Sequence, residues 1–162
     1  PFASQETRAL FEQALQRQKV VAQIFRLLDY RSRDAMAVAD VVLLASGTAA
    51  LEASLLGKPM VVTYRVSWLS YFLIRLLAHE RLYSLPNHLA GRQLVPELIQ
   101  RDAVPEKLGQ AVERFLTNPA QAKSVINALA RIRRVLRRNA DRRAAQAVLR
   151  ILRALRIPAR RP

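Results

Sequence analysis

Apolar and polar positions along this chain change period several times, and each change predicts an element. Over residues 3–18 (ASQETRALFEQALQRQ), Leu10, Ala14 and Leu15 fall on one side of a helix. Residues 20–28 (VVAQIFRLL) read as a strand, and RSRDAMAVAD after it as a short helix with Ala35, Met36 and Ala39 inward. VVLLA, residues 41–45, is a continuous apolar run, the pattern of a parallel strand covered on both faces. TAALEASLL then reads as a helix that Gly57 caps, Lys58-Pro59 turns the chain, and MVVTY is another strand. Strand, helix, strand, helix, strand over residues 20–64 predicts a doubly wound α/β fold.

Beyond residue 64 the pattern becomes helical. Residues 67–78 form an aromatic-rich helix with Trp68, Leu69, Phe72, Leu73, Leu76 and Leu77 on one face. RLYSL reads as a short strand and PNHLAGR as a loop. Pro105 opens a helix through Leu116. From about Ala120 to Arg156 the chain reads as helical, with a stripe from Val125 through Leu129, Ile132, Leu136, Val148 and Ile151 to Leu155. The chain divides into an α/β body, residues 1–118, and a helical tail, residues 119–162.

Charge changes this picture. The net charge of +15 is concentrated in the tail, where residues 131–162 hold twelve arginines against Asp141 alone. Such a balance points to phosphate-bearing partners: nucleic acid, anionic lipid or a nucleotide. The tail has no aromatic residue after Ala120 on which bases could stack, which favours a membrane surface or a plain solvated face. The absence of cysteine rules out disulfides, thiolate metal sites and a cysteine nucleophile. No apolar run reaches the ~20 residues of a membrane-spanning helix; the nearest, residues 67–78, is interrupted by Arg75.

Candidate chemistry gathers in three places. Ser46-Gly47-Thr48 lies between a strand and a helix, where free backbone N–H groups favour an anion. Glu52 follows one turn later; a carboxylate there repels phosphate but accepts hydrogen bonds from a sugar diol. Together they suit a nucleotide, although neither GxxxxGK[ST] nor GxGxxG is present, and a tight turn with a solvated acid is the plain alternative. Asn87, His88, Arg92, Glu97 and Gln100 form a second, densely polar stretch. The third is the aromatic helix, either core or an apolar face flanked by Arg65, Arg75 and Arg81 that suits an anionic membrane.

Three stretches carry a family resemblance: ADVVLLASGTAALEASLLGKPMVVTYR at 39–65, SLPNHLAGRQLVPELIQ at 84–100, and RNADRRAAQAVL at 138–149. In order and spacing they resemble lipid-A-disaccharide synthase. The resemblance implies a Rossmann-like C-terminal domain of a GT-B glycosyltransferase: a three-layer parallel sheet with a long C-terminal helical tail. It implies transfer of 2,3-diacylglucosamine from UDP to 2,3-diacylglucosamine 1-phosphate, with inversion and no metal or other cofactor. UDP would be bound by Ser46, Gly47, Thr48, Glu52, Asn87, Arg92, Glu97 and Gln100. Arg65, Trp68, Phe72 and Arg75 would contact the membrane or acyl chains. The expected partners are UDP-diacylglucosamine, diacylglucosamine 1-phosphate and the anionic inner-membrane surface, not nucleic acid, with self-association through the tail stripe. The expected location is cytoplasmic, peripheral on the inner membrane. His88 stands where the family has leucine. The general base would lie in an acceptor-side domain outside this chain, so residues 1–118 would be an N-terminally incomplete donor-binding domain, inactive alone. The rival reading is a non-enzymatic basic module that binds nucleic acid or anionic membrane through its arginine-rich tail.

Overall fold

The computed structural model describes residues 1–2, 4–18, 24–45, 47–68, 71–72, 76, 82–137 and 140–154. Ser46, Arg75, residues 20–23 of the first predicted strand, and much of the aromatic helix lie outside the described residues. The elements in chain order are α1 (Gln5–Arg17), α2 (Ser32–Val38), β1 (Val42–Ala45), α3 (Thr48–Leu55), β2 (Met60–Tyr64), α4 (Leu85–Ala90), β3 (Glu97–Ile99), α5 (Pro105–Thr117), α6 (Pro119–Leu136) and α7 (Ala140–Ala154). A 3-10 turn, Gln100–Asp102, follows β3. Trp68, Tyr71, Phe72 and Leu76 are helical, as their spacing predicts.

The three strands form one parallel sheet in the order β1-β2-β3. Val42 pairs with Met60 and Ala45 with Thr63; Val62 pairs with Glu97 and Tyr64 with Ile99. In the middle strand Met60, Val61 and Val62 are all fully buried. Successive strand side chains point to opposite faces, so both faces of β2 are covered. Burial of each such side chain contributes roughly 1.5–3 kcal/mol. β1 is different. The sequence reading expects both of its faces to be covered, but Leu43 is 50% exposed and Ala45 is exposed. Val42 and Leu44 face the core, whereas Leu43 and Ala45 point to the opposite face of β1, which the described residues leave open.

Helix α3 ends where the sequence predicts. The N–H of Gly57 donates to Ser54 O and that of Lys58 to Ala53 O, with Gly57 at φ 71°. This left-handed closure satisfies the last carbonyls of the helix, and glycine adopts it without steric cost. Ala50 and Ala53, both fully buried, let α6 approach closely, and α6 answers with Val125, Ala128, Leu129 and Ile132. The first part of the tail stripe is therefore core. The tail expected to be helical from about Ala120 is helical in α6 and α7, with α6 ending at Leu136, and in α7 Val148, Leu149 and Ile151 are exposed.

Three further expectations differ. Residues 24–28 form no ladder; the nearby pairing is a bridge between Phe2 and Asp29, with Phe2, Phe11 and Phe25 clustered edge to face. Ile24 is 74% exposed, which a strand inside the sheet would not allow. Leu10 of α1 is exposed, because that helix packs through the Phe11 contacts and through Arg8, which bonds Glu12 and Asp29. Those two carboxylates raise the pKa of the Arg8 guanidinium. Finally, the described part of RLYSL is not a strand, and PNHLAGR is not a loop: Leu85–Ala90 is a helical turn with Pro86 in its first turn and Gly91 closing it.

Candidate functional site

Because the sheet is parallel, the residues that follow β1, β2 and β3 lie along one edge. Gly47 follows β1 at this edge, and Arg65-Val66 after β2 meets Gln100-Arg101 after β3. In open parallel sheets this carboxyl edge is where ligands bind.

Gly47 is the N-cap of α3, with φ 137° and ψ −153°. That region is essentially closed to residues with a Cβ. Gly47 has no side chain with which to cap the helix, so the positive end of α3 faces outward beside the exposed Thr48. Glu52, one turn on, is exposed, and its carboxylate makes no hydrogen bond or ion pair among the described residues. It lines a cavity of about 790 Å³ with Leu51, Leu55 and Leu56 of α3, Arg33 of α2, and Arg133, Leu136 and Arg137 at the end of α6. Its lining combines four leucines with three arginines and one carboxylate.

The second candidate stretch is held from inside. Asn87 is fully buried. Its Oδ1 accepts from Leu94 N (2.7 Å) and Val95 N (2.8 Å); its Nδ2 donates to Val95 O (2.9 Å) and Glu97 Oε1 (2.7 Å). These bonds fill all four places of a primary amide. Glu97 also accepts from Ser84 N (2.7 Å) and Tyr83 N (3.0 Å), which fixes the entry to α4. Gln100 accepts from Val66 N (2.8 Å) and donates to Val66 O (3.1 Å), clamping the ends of β2 and β3 together. Its φ of 54° is unusual for a residue with a side chain, and the double bond to Val66 holds it there.

The residues singled out in the sequence thus fall in separate places. Glu52 lies in the large cavity. Arg92, exposed, lines a groove of about 260 Å³ between α4 and α6 with Arg131 and Val135. Arg65, Trp68 and Gln100 line a third hollow of about 290 Å³ with Arg101. There the Arg101 guanidinium carbon sits 5.3 Å from the Trp68 ring centre. Trp68, Phe72 and Leu76 are 61%, 57% and 69% exposed. Of the two readings of that helix, these side chains follow the exposed one. Sequence reasoning missed Arg33, Arg133 and Arg137 as companions of Glu52. They are local to other elements, and no spacing along the chain connects them to it.

Comparison with known proteins adds a family. A family model described as Lipid-A-disaccharide synthetase matches residues 1–151. A lipid-A-disaccharide synthase of Azoarcus sp. (strain BH72) is 46% identical over 149 residues, covering 92% of this chain and 38% of that protein. One from Dechloromonas aromatica (strain RCB) is 42% identical over 152 residues, covering 94% of this chain and 40% of that protein. A third, from Aeromonas hydrophila, is 48% identical over 126 residues, with 78% and 33% covered. The chain spans between a third and two fifths of the length of these relatives.

Proposed function

This chain belongs to the lipid-A-disaccharide synthetase family, and from that premise we propose that it is the donor-binding part of a glycosyltransferase of lipid A biosynthesis. The reaction joins 2,3-diacylglucosamine from its UDP donor to 2,3-diacylglucosamine 1-phosphate. The observation that carries the reading is Glu52, an exposed carboxylate with no ion pair among the described residues, one turn behind the open N-terminus of α3.

Each part of a UDP-sugar has a partner in this arrangement. Glu52 accepts the hydrogen bonds of the ribose diol. The N–H groups at Gly47 and Thr48 face the diphosphate. Arg92 adds charge from the α4 side. Asn87, Glu97 and Gln100, expected to touch UDP, spend their polar atoms on the backbone instead, and in this reading they serve the donor side only by fixing the α4–β3 and β2–β3 segments. Transfer breaks the bond from the anomeric carbon to the diphosphate, so negative charge grows on the leaving UDP. Fixed N–H dipoles and arginines stabilise that charge. In this reading the general base that takes the acceptor's proton belongs to the acceptor-side part of the enzyme, and the residues described above serve the donor.

The acyl chains of both substrates place the enzyme at the cytoplasmic face of the inner membrane. Support comes from exposed Trp68, Phe72 and Leu76 beside Arg65 and Arg101, an apolar patch with a cationic rim. No helix among the described residues is long and apolar enough to cross a membrane. The exposed Val148 and Ile151 of α7 offer a second apolar face, for the rest of the enzyme or for self-association.

Calorimetric titration of the chain with UDP and GDP, beside a Glu52→Ala variant, tests the nucleotide reading. Selective UDP binding that is lost in the variant supports it. Equal binding by wild type and variant removes Glu52 from the site and overturns it.

A further inference from the structure

The hollow at the ends of β2 and β3 gathers positive charge that no neighbouring acid neutralises. Arg65 follows β2 and Arg101 follows β3, and both line the hollow with Val66, Trp68 and Gln100. Neither arginine makes an ion pair among the described residues. The two acids of residues 97–102 are committed elsewhere. Glu97 accepts from Tyr83 N, Ser84 N and Asn87 Nδ2, and Asp102 accepts from Lys107. The hollow is also fixed in shape. Gln100 is buried, with φ 54°, and its two bonds to Val66 tie the segment that carries Arg101 to the one that carries Arg65. Backbone held in so sparsely populated a conformation is common at ligand clamps. The Arg101 guanidinium lies over the Trp68 ring. A guanidinium that rests on an indole keeps its N–H groups for a further partner.

We propose that Arg65, Trp68 and Arg101 form a headgroup pocket for a lipid that ends in a phosphate monoester. This rests on the membrane reading above and deepens it, from an attractive surface to a site with a chemical preference. Charge complementarity selects the monoester. It carries about −1.5 to −2 near neutral pH and offers three free oxygens, which two planar guanidinium forks engage in pairs. A phosphate diester has less charge and fewer free oxygens, so it leaves one fork unmatched. The hollow, about 290 Å³, is large enough for a phosphate and its ester link. The surroundings argue for a lipid instead of a soluble ester. Trp68 stands beside Arg101, and the exposed Phe72 and Leu76 follow it at helical spacing, on the same face. Cation, then aromatic, then aliphatic side chain is the order that a membrane presents from headgroup to acyl chain.

Vesicle co-sedimentation of the 162-residue chain separates a headgroup pocket from general attraction. Phosphatidylcholine vesicles carry either phosphatidic acid, a monoester, or phosphatidylglycerol, a diester, at matched surface charge. Wild type should prefer phosphatidic acid by about tenfold or more, as an added charge-assisted hydrogen bond implies. Arg65→Lys/Arg101→Lys keeps the charge and loses the forks; it should still bind both vesicles but bind them equally. Phe72→Ala/Leu76→Ala should weaken binding to both and keep the preference. All four side chains are exposed, and circular dichroism checks that each variant folds. Glycerol 3-phosphate, the same headgroup without acyl chains, should fail to displace the protein when equimolar with the phosphatidic acid. If it does displace it, the ligand is a soluble ester and the inference falls. If wild type binds the two charge-matched vesicles equally, or if the lysine variant keeps the preference, the inference falls and the membrane reading stands. If wild type binds neither anionic vesicle, both fall together.

Discussion

Asn87 Nδ2 and Glu97 Oε1 meet at 2.7 Å, and through that bond the first turns of α4 and β3 become one unit. Asn87 holds the backbone of Leu94 and Val95, while Glu97 holds the backbone of Tyr83 and Ser84. Each side chain reaches across to the other's segment, so neither can leave without releasing buried N–H groups. Asn87→Ala should destabilise the protein by about 2–4 kcal/mol, since several buried partners lose their bonds at once. Thermal unfolding followed by circular dichroism should show a fall of roughly 5–10 °C. A shift within experimental scatter would mean the network does not hold the segment.

Ser84 gives the opposite expectation at the same junction. Its hydroxyl is buried without a hydrogen-bond partner among the described residues, although its N–H is bonded to Glu97. Removing an unsatisfied buried hydroxyl costs nothing and relieves desolvation. Ser84→Ala should leave stability unchanged or raise it by up to about 1 kcal/mol. Chemical denaturation settles it: a clear loss would show that the hydroxyl has a partner.

Gly47 tests the turn at the head of α3. A Cβ there meets no atom within 4 Å, so crowding is not the issue. The dihedrals are, and Gly47→Ala should cost about 1–3 kcal/mol. In the nucleotide reading it should also weaken UDP binding by shifting the helix N-terminus. The mirror-image residue fits this backbone, so D-alanine introduced by semisynthesis should restore both properties. Equal effects of the two enantiomers would assign the loss to bulk instead of backbone.

Trp68 and Phe72 bear on membrane attachment. Both are more than half exposed, so replacing them with alanine should leave the melting temperature unchanged. In vesicle co-sedimentation with anionic lipid, the double variant should bind about tenfold less or weaker still, given the transfer free energy of two aromatic rings. Added salt should weaken the wild type further through Arg65 and Arg101. Unchanged partitioning of the double variant would remove this patch from the membrane reading.

The sequence by itself determined the elements whose evidence is local. The apolar run of β2, the small-residue helix α3 with Gly57 at its end, and α5 behind Pro105 follow from periodicity and from backbone limits at glycine and proline. The family was legible too, because its motifs are contiguous. Burial was not. Leu43 reads like its neighbours and lies half exposed because it points to the opposite face of β1 from the core residues Val42 and Leu44. The first half of the tail stripe is core and the second half is not, since α6 finds the alanines of α3 while Val148 and Ile151 of α7 stay exposed. The Asn87 network turned an expected loop into a helix by bonds that span up to fourteen residues. Arg33 came to stand beside Arg133 and Glu52 only through the packing of α2, α3 and α6. Periodicity reports which side of an element is apolar; what lies against that side depends on contacts between distant segments, and those contacts assembled the cavity.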